Sequence, residues 1–266
     1  MFAQMKHMAI VSSNVNLEGD FYRDVFGLKR SGLARAGGAV VVRDGYVGLN
    51  LNPRAPGRQA GFDHFGFEVQ DVELVFSRLK ENYPSVHVLK RPGNRPFAGI
   101  STHDPAGNVF DLSQQGMENR RDLYVEGDEQ MPRRVGHIAL RVLEPDKIAE
   151  FYRTVFELTE LEKPGDDPNH YLSDGKVTLA IFPWQIADFA GSGIERPALD
   201  HIGFKVESMA AFKADWAKHA SKYTAADDRP EKNPEREVRQ KLFAKCCFGQ
   251  FQMSDPDGVL IDVAEN

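Results

Sequence analysis

With 266 residues the chain is long for one domain and comfortable for two, and 41% hydrophobic with 27% charged residues excludes disordered, collagen-like and low-complexity classes. A net charge of −6 supplies no basic stripe for a phosphate backbone or anionic lipid, so neither nucleic acid nor a membrane is expected as a partner. The two cysteines are neighbours, Cys246 and Cys247, without the spacing of a disulfide framework or a zinc motif, and no apolar run suits a spanning helix or a signal peptide; a reducing, cytoplasmic setting is expected.

Along the chain, His7-Met8-Ala9-Ile10 opens the first unit with strand alternation: apolar side chains take one face, and the histidine shares the other with a small residue. Helical spacing follows over 19–26, then β-rich runs at 39–43 and 47–51 around a turn at Asp44-Gly45. The same strand opening returns at His64-Phe65-Gly66-Phe67, His137-Ile138-Ala139-Leu140 and His201-Ile202-Gly203-Phe204, with helices predicted over 72–83, 148–156 and 209–219. The pattern predicts a β-α-β-β-β unit four times over.

The halves are duplicates. Residues 19–28, GDFYRDVFGL, match 149–158, AEFYRTVFEL, at an offset of 130, which also carries His7 onto His137. DHFGFEV at 63–69 matches DHIGFKV at 200–206, and DPAGNVFD at 104–111 matches DPDGVLID at 255–262. The expected division is a first domain over 1–116, a polar linker over 117–134 and a second domain over 135–266. Residues 225–238, without an equally long counterpart in the first half, read as a surface loop that could shape a binding site.

Seven residues after Asp104 and Asp255, the first residues of two DP-x-G turns, come Asp111 and Asp262, each within an apolar strand and facing away from its large neighbours. A carboxylate buried there needs a metal, a cation or hydrogen bonds. Two imidazoles and one carboxylate make the set that binds Fe(II) or Mn(II) with positions left open; zinc with an activated water is the other reading. Asp104, Asp255 and Asp257 read as turn formers without chemistry. His170 and Tyr171 precede a strand and are candidates to reach the cavity, the histidine as an acid or base.

These residues together resemble the vicinal oxygen chelate superfamily, over nearly the whole chain outside the linker. The markers are the FYR-x-VF-x-L helix, the strand-opening histidines and the DP-x-G turn followed by an acid. The resemblance implies an α+β fold, four βαβββ modules paired into two half-open barrel domains of the glyoxalase, bleomycin-resistance and extradiol-dioxygenase type. It implies metal ligands His7, His64 and Asp111 in the first half and His137, His201 and Asp262 in the second, around a divalent metal, Fe(II) first and Mn(II) or Zn(II) as alternatives. Four modules in one chain is the layout of extradiol dioxygenases, whose active metal usually lies in the C-terminal half. The expected function is therefore cleavage of a catechol-like aromatic. A glyoxalase-like lyase or an isomerase/epimerase is the alternative, and a non-catalytic small-molecule binder the third. The partner expected is a small-molecule substrate; homo-oligomerisation and the pairing of the four modules are left open. Asp stands where the family usually has Glu, and Lys176-Val177 and Gln252 stand where ring-cleaving members tend to carry His and Tyr.

Overall fold

In the computed structural model of the chain, the described residues are 1–31, 36–91, 97, 99–116, 131–186, 197–223, 243 and 248–266. The first half comprises β1 (Ala3–Ser12), α1 (Val15–Phe26), β2 (Lys29–Arg30), β3 (Val40–Arg43), β4 (Gly48–Pro53), β5 (Gly61–Val69), α2 (Val72–Asn82), β6 (Leu89–Lys90), β7 (Ile100–His103) and β8 (Val109–Gln114). The second comprises β9 (Arg134–Val142), α3 (Pro145–Phe156), β10 (Thr159–Glu160), β11 (His170–Ser173), β12 (Thr178–Pro183), β13 (Ala198–Val206), α4 (Met209–Tyr223), β14 (Phe251–Ser254) and β15 (Leu260–Glu265). The expected linker falls outside the described residues over 117–130, as do the whole 225–238 loop, Cys246 and Cys247.

Each half builds one mixed sheet, ordered β2-β3-β4-β1-β5-β8-β7-β6 and β10-β11-β12-β9-β13-β15-β14. The central pairs, β1 with β5 and β9 with β13, are antiparallel. Through the sheets, then, module one joins module two and module three joins module four. This α+β architecture of repeated modules is the one the sequence pattern implies.

Local chemistry sets the helices. The side chains of Asn14 and Asp71 cap α1 and α2 by accepting from Leu17 N and Leu74 N, and Gly27 closes α1 in the left-handed conformation. Phe21, Tyr22, Val25 and Phe26 in α1, and Phe151, Tyr152, Val155 and Phe156 in α3, recur at helical spacing on the buried faces.

These faces do not stay within their own halves. Phe26 stacks on Phe204 at 3.9 Å and Phe156 on Phe67 at 4.4 Å, so α1 packs against module four and α3 against module two. One continuous apolar core results. Buried carboxylates stitch the seam with the same symmetry: Tyr22 Oη donates to Asp255 (2.9 Å) and Tyr152 Oη to Asp104 (3.0 Å). Asp44 accepts from Val135 N (2.8 Å), and Asp174 from Met5 N (2.6 Å). Asp104 and Asp255 do hold their turns, through Ala106 N, Asn108 N, Asp257 N and Val259 N, and also receive a tyrosine from the opposite half. Among the described residues no helix is long and apolar enough to cross a membrane.

Candidate metal centres

The core-free face of each sheet carries one cluster of two histidines and an aspartate: His7, His64 and Asp111, and His137, His201 and Asp262. Sheet register explains the convergence. His7 lies opposite Gly66, which lies beside Asp111 on β8; His137 lies opposite Gly203, beside Asp262 on β15. The glycines make room. A Cβ on Gly203 would overlap the His137 imidazole, and one on Gly66 would stand 2.6 Å from the Phe97 ring and 2.9 Å from the Asp111 carbonyl oxygen.

In the first cluster the Nε2 atoms of His7 and His64 are 3.3 Å apart, and His64 Nε2 is 3.1 Å from Asp111 Oδ2. In the second, His137 Nε2 is 3.0 Å from His201 Nε2 and 3.7 Å from Asp262 Oδ2. An ion with bonds of about 2.1 Å holds neighbouring ligands about 3.0 Å apart in octahedral geometry and about 3.4 Å in tetrahedral geometry. Both clusters thus have the spacing and the donor set that a divalent ion requires, with one carboxylate and two imidazoles facing one point.

Both also contain an orienting carboxylate not assigned from the sequence. Asp63 Oδ2 lies 2.9 Å from His64 Nδ1, and Asp200 Oδ2 lies 3.0 Å from His201 Nδ1. Such a partner keeps the proton on Nδ1 and leaves the Nε2 lone pair for a metal. Neighbours in a regular strand face opposite sides, so the Asp-His pairs at 63–64 and 200–201 look unproductive. β-Bulges resolve this: the β1–β5 register jumps from His64 to Phe62 and the β9–β13 register from His201 to Leu199, leaving each aspartate as the extra residue, re-aimed toward its histidine. The DH dipeptide repeated in both halves was the available signal. Arg58 pairs with Asp63, and Arg141 Nε approaches Asp200 at 3.3 Å.

The clusters differ electrically. Burial pulls the His64 imidazole down, but hydrogen bonds to Asp111 and Asp63 push it up to about 9. Asp111 is raised by burial yet held below the usual carboxylate range by His64, His7 and the Ser101 hydroxyl. His137 moves the other way: burial, then the charges of His201 and Lys205, hold it well below the ordinary imidazole value. Asp262 is dressed by three donors, Phe248 N (3.1 Å) and Gly249 N (2.9 Å) to Oδ2 and Gln252 Nε2 (3.0 Å) to Oδ1.

Their walls differ as well. Around the second cluster Tyr171 and Phe182 pack with Ala139 and Ala180, Phe248 stands edge-on to His137 at 4.7 Å, and Phe243 lies 4.8 Å from His201. Tyr171 is therefore on the cluster side, its ring 5.0 Å from Phe248. His170 is not brought there. Strand alternation turns it to the other face of β11, where Nδ1 contacts Glu160 (2.6 Å) and Nε2 contacts Asp146 at the start of α3 (2.8 Å), so both ring nitrogens are engaged in tying strand to helix.

The family model of the Glyoxalase/Bleomycin resistance protein/Dioxygenase superfamily matches residues 4–112 and again 134–263. The chain belongs to this superfamily. Among solved structures it is similar to the 2,3-dioxygenase LapB from Pseudomonas sp. KL28, with a TM-score of 0.65 and 17% identity, covering 99% of this chain and 92% of that one. The Mn(II)-bound glyoxalase from Novosphingobium aromaticivorans gives a TM-score of 0.65 at 16% identity, covering 99% and 82%. A variant of homoprotocatechuate 2,3-dioxygenase from B. fuscum gives 0.64 at 14% identity, covering 98% and 70%. The chain spans about half (49%) of a xylose isomerase-like TIM barrel/4-hydroxyphenylpyruvate dioxygenase fusion protein, at a TM-score of 0.61 and 13% identity. At these identities the likeness establishes the fold. The search of curated proteins finds no match.

Proposed function

We propose that the chain is a metal-dependent enzyme acting on a small molecule, and that its second half performs extradiol-type oxidative cleavage of a catechol-like aromatic. The observation that carries this reading is the conjunction of His137, His201 and Asp262 with an aromatic wall of Tyr171, Phe182, Phe243 and Phe248. Such a wall beside a metal with open positions favours a flat ring that carries two neighbouring oxygens.

His137 and His201 would present Nε2, and Asp262 a carboxylate oxygen, to a divalent ion, Fe(II) before Mn(II) or Zn(II). When bound, that ion supplies Lewis acidity and a path for electrons between a chelated substrate and dioxygen. Asp200 holds the His201 tautomer. Gln252 and the backbone amides of Phe248 and Gly249 fix the plane of the Asp262 carboxylate. Phe248 packs edge-on against the His137 imidazole and Phe243 against that of His201. Tyr171, its hydroxyl tied to Asp167 at 2.9 Å, contributes a ring edge that orients an aromatic substrate.

The test is anaerobic Fe(II) loading of the metal-stripped protein followed by oxygen uptake with a catechol panel. One O₂ consumed per ring cleaved is expected, with activity abolished in His201→Ala and Asp262→Ala and largely kept in His64→Ala. Turnover that continues unchanged under strict anaerobiosis selects a lyase or isomerase instead. Loss in His64→Ala with His201→Ala unaffected moves the activity to the first half.

A further inference from the structure

The two halves keep equivalent metal clusters but exchange the chemistry around them. Register places Asn50 and Val41 beside Ala9, and Arg43 and Gly48 in the row of His7, all on the cluster face of the first sheet. At the matching rows of the second sheet stand Ala180 and Tyr171 beside Ala139, and Ser173 and Thr178 beside His137. Where the second half offers Tyr171, Ala180 and Ser173, the first therefore offers Val41, Asn50 and Arg43. Arg43 sits two strands from His7, about 10 Å across the sheet. Among the described residues, its buried Nε has no hydrogen-bond partner. A buried guanidinium nitrogen without a partner is costly, and an anion bridging it to a nearby cation would remove that cost.

The first cluster is also the more accessible. The His64 side chain is 18% exposed, whereas those of His201 and Asp262 are 0% exposed. No backbone amide donates to Asp111 among the described hydrogen bonds; its carboxylate meets His64 on Oδ2 and the Ser101 hydroxyl on Oδ1, and that hydroxyl in turn accepts from Arg91 Nε (2.7 Å). Among the described residues, Asp111 Oδ2 thus meets His64 Nε2 and no other hydrogen-bond donor, the arrangement expected of an oxygen that completes a metal site.

We propose that the first cluster, His7–His64–Asp111, takes as the ligand of its metal a small carboxylate-bearing chelator held between the ion and Arg43, and that it loads separately from the second. This rests on the metal reading above but not on ring cleavage. The second half selects an aromatic chelator by its walls; the first selects an anionic, non-aromatic one by its arginine and asparagine.

Metal stoichiometry and ligand binding test it without recourse to turnover. The full chain, stripped with a chelator and titrated with Mn(II) while free ion is followed by electron paramagnetic resonance, is expected to bind two equivalents. His64→Ala and His201→Ala should each bind one, and the double variant none; Asp111→Asn provides a second probe of the first centre should His64→Ala not fold. In the His201→Ala chain, which holds Mn(II) only in the first half, oxalate should perturb water-proton relaxation, and Arg43→Gln should weaken that binding at least tenfold while leaving Mn(II) uptake intact. Catechol should have no effect there. A single equivalent in the wild type that His64→Ala does not remove overturns the second centre. Oxalate binding indifferent to Arg43→Gln, or matched by catechol, overturns the ligand class. Failure of the ring-cleavage reading shows separately, as absent oxygen uptake in a chain that holds both equivalents.

Discussion

At the scale of single residues, two strand-opening histidines, one from each cluster, have opposite proton economies. His64, drawn up to about 9 by Asp111 and Asp63 against the pull of burial, holds a proton through the neutral range in the metal-free protein. A metal at His7–His64–Asp111 must expel it. The apparent Mn(II) affinity of the first centre is therefore expected to rise about tenfold per pH unit between about 6.5 and about 9 and to flatten above, measured on the His201→Ala chain. A flat profile would disprove it. The sign for folding is the reverse: the raised imidazole contributes stability that is fully present below its ordinary value and is lost as pH rises through about 9. His137, held well below the ordinary value by burial, His201 and Lys205, has no such proton to lose near neutrality.

The six residues of the two clusters were legible because duplication repeats them in register and because each histidine shares its face with a small neighbour. Asp63 and Asp200 were not, because a bulge suspends the alternation on which strand reading depends. His170 and Tyr171 teach the converse. As neighbours in a regular strand they cannot both face the cavity, so alternation alone already allowed at most one of them, and the packing of Tyr171 against Ala139 and Ala180 decides which.

At the scale of elements, the module order and the helices follow from local pattern, whereas the crossing of α1 and α3 to the opposite halves is a tertiary choice that no local period encodes. That crossing exposes an asymmetry. Position 148 of α3 is Ile148, buried in the seam with the apolar core; the matching position of α1 is Glu18, wholly buried and facing Asp255 and Asp257. Burial first, then the two aspartates, push Glu18 far above the usual carboxyl range, and burial raises Asp255 to about 6. A carboxyl whose folded value is raised contributes stability that is complete below its ordinary value and drains as pH rises toward the folded one. The wild type should thus lose stability as pH rises from about 4. Glu18→Ile, which installs the residue of the duplicate, is expected to stabilise the fold by about 1–3 kcal/mol at pH 7 and to make that decline shallower. Urea titrations at several pH values measure both; an unchanged or lower midpoint at pH 7 would show that the buried acid has a compensating partner.

At the scale of the whole molecule, duplication suggests two domains that could unfold one at a time, and the sheets taken alone support that view, since each is complete within its half. The core does not. Phe26 of the first half is stacked on Phe204 of the second, and Phe156 of the second on Phe67 of the first. Each half supplies an aspartate, Asp44 or Asp174, that satisfies a buried amide at the start of the other's first strand, and each accepts a tyrosine hydroxyl at Asp104 or Asp255. Separating the halves would strand these donors and acceptors, at about 1–3 kcal/mol for each buried group left unpaired, and would open an aromatic seam to water. That cost couples the two unfolding events. Scanning calorimetry of the intact chain is expected to give one transition, with calorimetric and van't Hoff enthalpies in agreement. Substitution at one end of the seam should carry to the other: Tyr152→Phe, which frees Asp104 in the first half, should lower the midpoint of that single transition without splitting it. Two resolved transitions, one of them unmoved by Tyr152→Phe, would mean that the halves are independent and that the shared aromatic seam is too weak to join them.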